Sequence, residues 1–176
     1  MDMNDSKEIY NLIIDIGKEF NISNCGTLAM DTMRMESGYL HWGHDISPEE
    51  NQYEAGLQFT ISYKKNIDFV GKKALLKIKE KALSKNFIIL TLQNSKPGDP
   101  LLLHDEPIYL DDKIIGRTTS GNYSFNFEKN LTFGYVTVDL SKEDLKNKNL
   151  YVEVAKMKYI AELQDKPLNQ KNFKTI

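Results

Sequence analysis

The sequence predicts an α+β chain: an α+β part to about Leu83, then a small antiparallel β part. Three observations carry this. Apolar residues recur at helical spacing in the first 36 residues. The period changes to alternation at Leu57. From Asn86 onward the chain reads as strands divided by turn signals.

The elements follow in order. From Ser6 to Phe20, Ile9, Leu12, Ile13 and Ile16 fall at helical spacing, with Ser6 as N-cap and Gly17 near the end. The stretch "NISNCG" (21–26) is rich in breakers and reads as a turn. A second helix covers Thr27 to Glu36 and stops at Gly38, placed as a C′ glycine. An irregular polar piece, "HDISPEENQYEAG", separates it from "LQFTISY", where Leu57, Phe59, Ile61 and Tyr63 share one face of a strand. "FVGKKALLKIKEKAL" returns to helical spacing through Val70, Ala74, Leu75 and Ile78. "FIILTL" is a buried strand and "KPGDP" (96–100) a turn. "PIYLDDKIIGRTT" is a hairpin about Asp111 and Asp112. "FGYVTVDL" and "LYVEVAKMKYIAEL" supply further strands, and the polar tail from Gln164 is expected to fray or drape over the surface. The first part then holds one strand, and a single strand cannot satisfy its own backbone. Its neighbours are expected from a partner or from upstream sequence.

Of the 176 residues, 40% are hydrophobic and 27% charged, with a formal net charge of −2. That balance offers no general attraction to nucleic acid or to an anionic membrane. No apolar run is long enough to span a bilayer, and the acidic start "MDMNDSKEIY" shows no signal or transit peptide. Cys25 is the single cysteine. It has no internal disulfide partner, and a reducing, cytoplasmic compartment is expected.

The stretch from Met30 to Ile46 concentrates the chemistry. Asp31 and Arg34 are i,i+3 neighbours, so the carboxylate can hold a guanidinium that binds a ligand carboxylate or polar ring edge. On composition alone the commoner reading of such a pair is a surface ion pair contributing little, and that reading is favoured. Tyr39 and Trp42, just past the helix stop, can sandwich a flat heterocycle or plug a junction between the two parts. His41, His44 and Asp45 have poor metal-ligand spacing, and Gly43 argues against a helix there, so no metal site is expected. Cys25 has no base nearby in sequence. Ser120–Gly121 is no nucleophile elbow, and no phosphate-binding glycine loop appears.

Several segments together resemble one family. "CGTLAMDTMRMESGYLHWGHDISPEENQYEAGL" resembles the A-x-D-x-x-R-x-E-x-G-Y, W-G-x-D and E-A-G-L run of the aminomethyltransferase (glycine cleavage T-protein) superfamily. "DFVGKKAL", "EPIYLDDKIIGRTTSGNYSFNFEKNLTFGYV" and "AELQDKPL" resemble its later segments, in order, from about Cys25 to Leu168. The W-G, "EPIY" and "GRTTSG" variants look most like the folate-binding C-terminal regions of dimethylglycine and sarcosine dehydrogenases. Family members are about twice as long, and the N-terminal half that carries the acidic residue assigned to one-carbon transfer is not in this sequence. Gln52–Tyr53 stands where proline usually precedes E-A-G-L, and Asn169 where the dehydrogenases usually show tyrosine.

The resemblance implies that residues 1–84 are the C-terminal part of a folate-binding α/β domain and that 85–176 are its C-terminal barrel. It implies tetrahydrofolate as cofactor. Arg34 is expected on folate's polar edges, Trp42 and Tyr39 against its ring, Arg117 near its glutamate tail, and Glu36 as a structural partner at the helix end. The implied partners are folate, a one-carbon unit from an N-methyl amine, and an N-terminal domain or partner chain. No residue here is expected to be catalytic, and the chain is not expected to act alone. The rival expectation is a non-catalytic subunit of the same fold that completes a partner's active site. A relative acting on another one-carbon donor is a third.

Overall fold

A computed structural model describes residues 3–65, 67–97, 99, 101–137 and 141–169. By its contacts the chain divides into two compact units, Met1–Met30 and Asp31–Ile176. The first unit holds helix α1 (Ser6–Gly17), entered through a 3-10 turn at Met3–Asp5 and left through another at Lys18–Phe20. Asp5, rather than Ser6, stands at the N-cap, because the 3-10 turn already carries the chain into the helix. The chain then reverses at Asn21, whose left-handed backbone (φ 55°) asparagine tolerates. Ile22 N donates to Gly17 O at 3.1 Å. A Cβ on Gly17 would lie 2.4 Å from Ile22, so the reversal needs glycine there.

Helix α2 (Thr27–Glu36) forms as the spacing predicts and ends at Gly38, with φ +78°. Helix α3 spans Lys72–Lys79 and starts after Val70, which is exposed rather than on a buried face. The remaining strands are β1 (Asn86–Leu92), β2 (Pro107–Leu110), β3 (Lys113–Ser124), β4 (Lys129–Val136), β5 (Leu150–Val154) and β6 (Met157–Gln164). They close an antiparallel six-stranded barrel in the order β1-β4-β3-β2-β5-β6. Two tight turns explain the order of neighbours. Asp111 (φ 51°) turns β2 into β3, and Ala155 and Lys156 (φ 50° and 67°) turn β5 into β6. Between β4 and β5 lies a short helix, α4 (Lys142–Lys146), that the periodicity does not reveal. It rests on a local device instead: Ser141 and Asp144 exchange backbone-to-side-chain hydrogen bonds in a capping box.

The strand expected over Leu57–Tyr63 does not form. A 3-10 turn occupies Gln58–Thr60, and none of the described residues between it and β1 is in a sheet. Extension is favourable only with a ladder to join, and the closed barrel has no free edge to offer. Of the expected "KPGDP" turn, Gly98 and Pro100 lie outside the described residues. So do the last three residues of "FGYVTVDL" (138–140) and the tail from residue 170.

Strand β1 explains why "FIILTL" is apolar without a break. Ile88, Leu90 and Leu92 fill the barrel interior with Ile108, Ile115, Leu150, Val152 and Leu163. The alternate residues Phe87 and Ile89 face outward, into a second cluster with Met35 of α2 and Leu131, Phe133 and Tyr135 of β4. A strand buried on both faces loses its alternation. This outer cluster holds α2 and the loop after it against the barrel, which is what positions the site.

Candidate functional site

The site begins with a local irregularity. In the β3–β4 ladder Thr118 pairs with Gly134 and Ser120 with Phe133, so Thr119 is an extra residue in a β-bulge. Adjacent strand residues ordinarily point to opposite faces, and a bulge removes that constraint. Here both hydroxyls reach the same atom: Thr119 Oγ1 donates to Asp45 Oδ1 at 2.6 Å and Ser120 Oγ at 2.8 Å. The other carboxylate oxygen of Asp45 accepts from His41 N at 2.8 Å and from Arg34 NH1 at 2.5 Å. Tyr135 Oη donates to the Asp45 carbonyl at 2.9 Å. Asp45, 1% exposed, is thus a buried carboxylate with every oxygen answered.

Arg34 completes the network. Nε donates to Asp31 at 2.7 Å, NH2 to Ser120 Oγ at 2.7 Å and NH1 also to Tyr39 O at 3.2 Å. Its guanidinium carbon lies 5.5 Å from the centre of the Phe133 ring, and its side chain is 16% exposed. The expected Asp31–Arg34 pair is therefore present, but as one edge of a clamp joining α2, the loop and β3. Two parallel clamps flank it. Glu36 accepts from Ser124 Oγ at 2.6 Å and Asn126 Nδ2 at 2.9 Å. Glu50 takes a hydrogen bond from Lys85, whose ammonium sits 5.1 Å from the Tyr135 ring centre. Burial opposes ionisation of Glu50 most strongly, yet the hydrogen bonds from Lys85 and Ser47 together outweigh it and hold its carboxyl below the usual value. Burial first, then the nearby carboxylates of Glu50, Asp45 and Glu54, push the Tyr135 phenol up, so it stays a neutral donor.

Two clefts flank this frame. One, of about 690 Å³, is lined by His44, Glu50, Lys85, Asp105, Arg117 and Tyr135, among others. The other, of about 680 Å³, is edged by Tyr39, Leu40, Ile46, Leu57, Phe59 and Pro167. Both fall in the usual range for small-molecule sites. Arg117 therefore stands in the first, with Asp105 at 3.2 Å from its guanidinium, and Tyr39 in the second. Trp42, 65% exposed, lines neither, and Arg34 lies in the clamp between loop and barrel. The four expected ligand residues are not gathered around one hollow by this chain. Tested against folate, the aromatic and aliphatic lining beside Tyr39 suits a planar ring, and the cation at Arg117 suits a carboxylate. Tyr39 and Arg117 stand in different clefts.

The His41 and His44 rings meet tilted by 35°, with ring centres 4.7 Å apart. Among the described residues no group of three or more His, Cys, Asp or Glu is placed to hold a metal ion. No helix among them is long and apolar enough to cross a membrane. Residue spacing missed Asp45 as the hub, because its hydroxyl partners lie 74 and 75 positions away. The sequence signal was the pair of adjacent hydroxyls before a glycine in "TTSG".

Comparison with known proteins gives a consistent picture. The family model described as the GCVT N-terminal domain matches residues 1–65, and that of the glycine cleavage T-protein C-terminal barrel domain matches residues 85–169. Human mitochondrial dimethylglycine dehydrogenase is 37% identical over 164 residues, covering 93% of this chain and 18% of that protein. An aminomethyltransferase of Listeria welshimeri is 34% identical over 169 residues, covering 93% of this chain and 45% of its own length. The crystal structure of the glycine cleavage system aminomethyltransferase T from Bartonella henselae superposes with a TM-score of 0.76 at 22% identity, covering 90% of this chain and 43% of that one. The chain thus spans less than half the length of each of these relatives.

Proposed function

The chain belongs to the aminomethyltransferase (glycine cleavage T-protein) family, and from that premise we propose that it is the C-terminal portion of a tetrahydrofolate-dependent one-carbon transfer unit. Its type is that of the dimethylglycine and sarcosine dehydrogenases. The observation that carries this reading is the succession of the two family domains along one chain, with α2 and its loop clamped to the barrel by Asp45 and Arg34. When bound, tetrahydrofolate supplies the nucleophilic amine that accepts a one-carbon unit. The role of this chain's residues is to bind and to exclude water. Tyr39, with the apolar cleft beside it, offers a face for the ring, and Trp42 offers a second face from an exposed turn. Arg117 offers a cation for the glutamate tail. Arg34 orients the turn that carries Tyr39 and Trp42, and acts on ligand through that turn.

The remainder of the folate-binding domain completes the hollow, from upstream in the same polypeptide or from a second chain. The one-carbon unit derives from an N-methyl amine oxidised elsewhere. An exposed Cys25, the single thiol, fits a reducing compartment such as the cytoplasm.

Calorimetric titration with tetrahydrofolate tests the proposal. The chain joined to an N-terminal family half should bind at micromolar concentration, and the chain alone should not. Absence of binding in the joined form refutes the folate role. Trp42→Ala in that form should weaken binding about tenfold or more, in line with the stacking of one aromatic face.

A further inference from the structure

The cleft beside Tyr39 is apolar along most of its wall, yet one charged side chain of each sign lines it, Lys142 and Asp165. The two are not equivalent. Asp165 is half-exposed and already takes the ammonium of Lys146. Lys142 is partly buried, and among the described residues no carboxylate lies within ion-pair distance of it. Burial pushes its ammonium below the ordinary lysine range, and the more distant carboxylates of Asp165 and Glu143 recover only part of it. A desolvated cation without a contact partner costs free energy, and an anion brought to it relieves that cost. The other lining groups indicate what should carry the anion. Tyr39 and Phe59 are left exposed, and Leu40 and Phe87 add to the same apolar wall. Such a wall suits a flat ring.

We infer that this cleft binds an aromatic carboxylate, with Lys142 pairing with the carboxylate and the Tyr39 face taking the ring. The inference deepens the folate reading above and rests on it for the choice of Tyr39 as ring face. It adds a cation in the same cleft, whereas Arg117 stands in the other one. Lysine suits an open wall, since its flexible stem lets the ammonium follow a carboxylate that the wall itself does not fix. Two sources carry this chemistry. One is a folate, whose carboxylates lie beyond its aryl group, and the other is a free aromatic acid.

Amide chemical-shift titration of the chain separates a paired carboxylate from a ring that merely stacks. p-Aminobenzoate should shift the amides of Tyr39 and Leu40 with a dissociation constant of about 1 mM, a scale set by its few heavy atoms. p-Aminobenzamide has the same ring without the charge and should bind about tenfold or more weakly. Lys142→Met keeps the stem and should reduce the acid to the affinity of the amide, while Lys142→Arg keeps the charge and should retain the preference. Equal binding of acid and amide to the unaltered chain overturns the inference, as does no binding of the acid up to about 10 mM. So does a preference that survives Lys142→Met, which assigns the anion to another cation. The form joined to an N-terminal family half then identifies the source. There, a loss of tetrahydrofolate affinity of about tenfold in Lys142→Met assigns the carboxylate to folate. Unchanged affinity, with the p-aminobenzoate preference intact, assigns the cleft to a separate aromatic acid. If the joined form does not bind tetrahydrofolate while the preference holds, the folate reading fails and the carboxylate site at Lys142 stands.

Discussion

Asp45 shows how a single residue ties sequence-distant parts into one site. It accepts four hydrogen bonds on its carboxylate, and among the described residues Arg34 is the cation paired with it. Removing one partner of a buried pair leaves the other uncompensated, at a cost of about 3–5 kcal/mol. Asp45→Ala should therefore lower the unfolding free energy by that order in urea titrations. Thr119→Val removes one donor of several and should cost about 1 kcal/mol. Glu50 supplies a pH test. Its folded carboxyl titrates below the unfolded value, so its pairing with Lys85 stabilises the protein above the unfolded carboxylate pKa. That contribution is lost as pH falls through the depressed folded pKa. Glu50→Gln should flatten the acid limb of a stability-against-pH curve, on the side below the ordinary glutamate pKa. At this scale the sequence was only half legible. The Asp31–Arg34 pair follows from helical spacing. The hub at Asp45 does not, since nothing in spacing places a loop carboxylate under a bulge in a strand far along the chain.

Among the elements, those whose order comes from neighbours in sequence were legible, and those completed from afar were not. The two helices before Gly38, the hairpin around Asp111 and the doubly buried β1 all follow from period and turn chemistry. The five residues of α4 are too few for a period to show, and only the Ser141–Asp144 box announces them. The alternation at Leu57–Tyr63 is real in sequence but has no ladder to join, so propensity yields to unpaired backbone. Gly38 marks where two elements meet. Its φ of +78° disfavours any side chain, and a Cβ there would lie 2.3 Å from Pro167, in the segment that straps the end of α2 through Asn169 N to Glu36 O at 2.8 Å. Gly38→Ala should cost about 1–3 kcal/mol from backbone strain alone. It should also release the strap, seen as faster exchange of the Asn169 amide.

At the scale of the whole second unit, one sheet serves two cores. Alternate residues of β1 feed the barrel interior, through Leu90, and the outer cluster, through Phe87 and Ile89. The outer cluster also touches the polar clamp, because Arg34 lies over Phe133, and Phe133 meets Phe87 edge-on with ring centres 5.2 Å apart. Leu90 shares no partner with Arg34 in these clusters, although both stabilise the same cooperative barrel. A double-mutant cycle separates sharing a fold from sharing contacts. Arg34→Ala and Phe133→Ala together should depart from the sum of the single effects by about 0.5–3 kcal/mol, since each removes part of the other's surroundings. Arg34→Ala and Leu90→Ala should add within about 0.5 kcal/mol, although Leu90→Ala alone costs about 2–5 kcal/mol. Urea midpoints at constant m-value supply all the quantities. Equal coupling in both cycles would mean that the barrel interior and the clamped outer face act as one core. The clamp that orients Tyr39 and Trp42 would then be adjustable from inside the barrel, instead of being set on its outer wall.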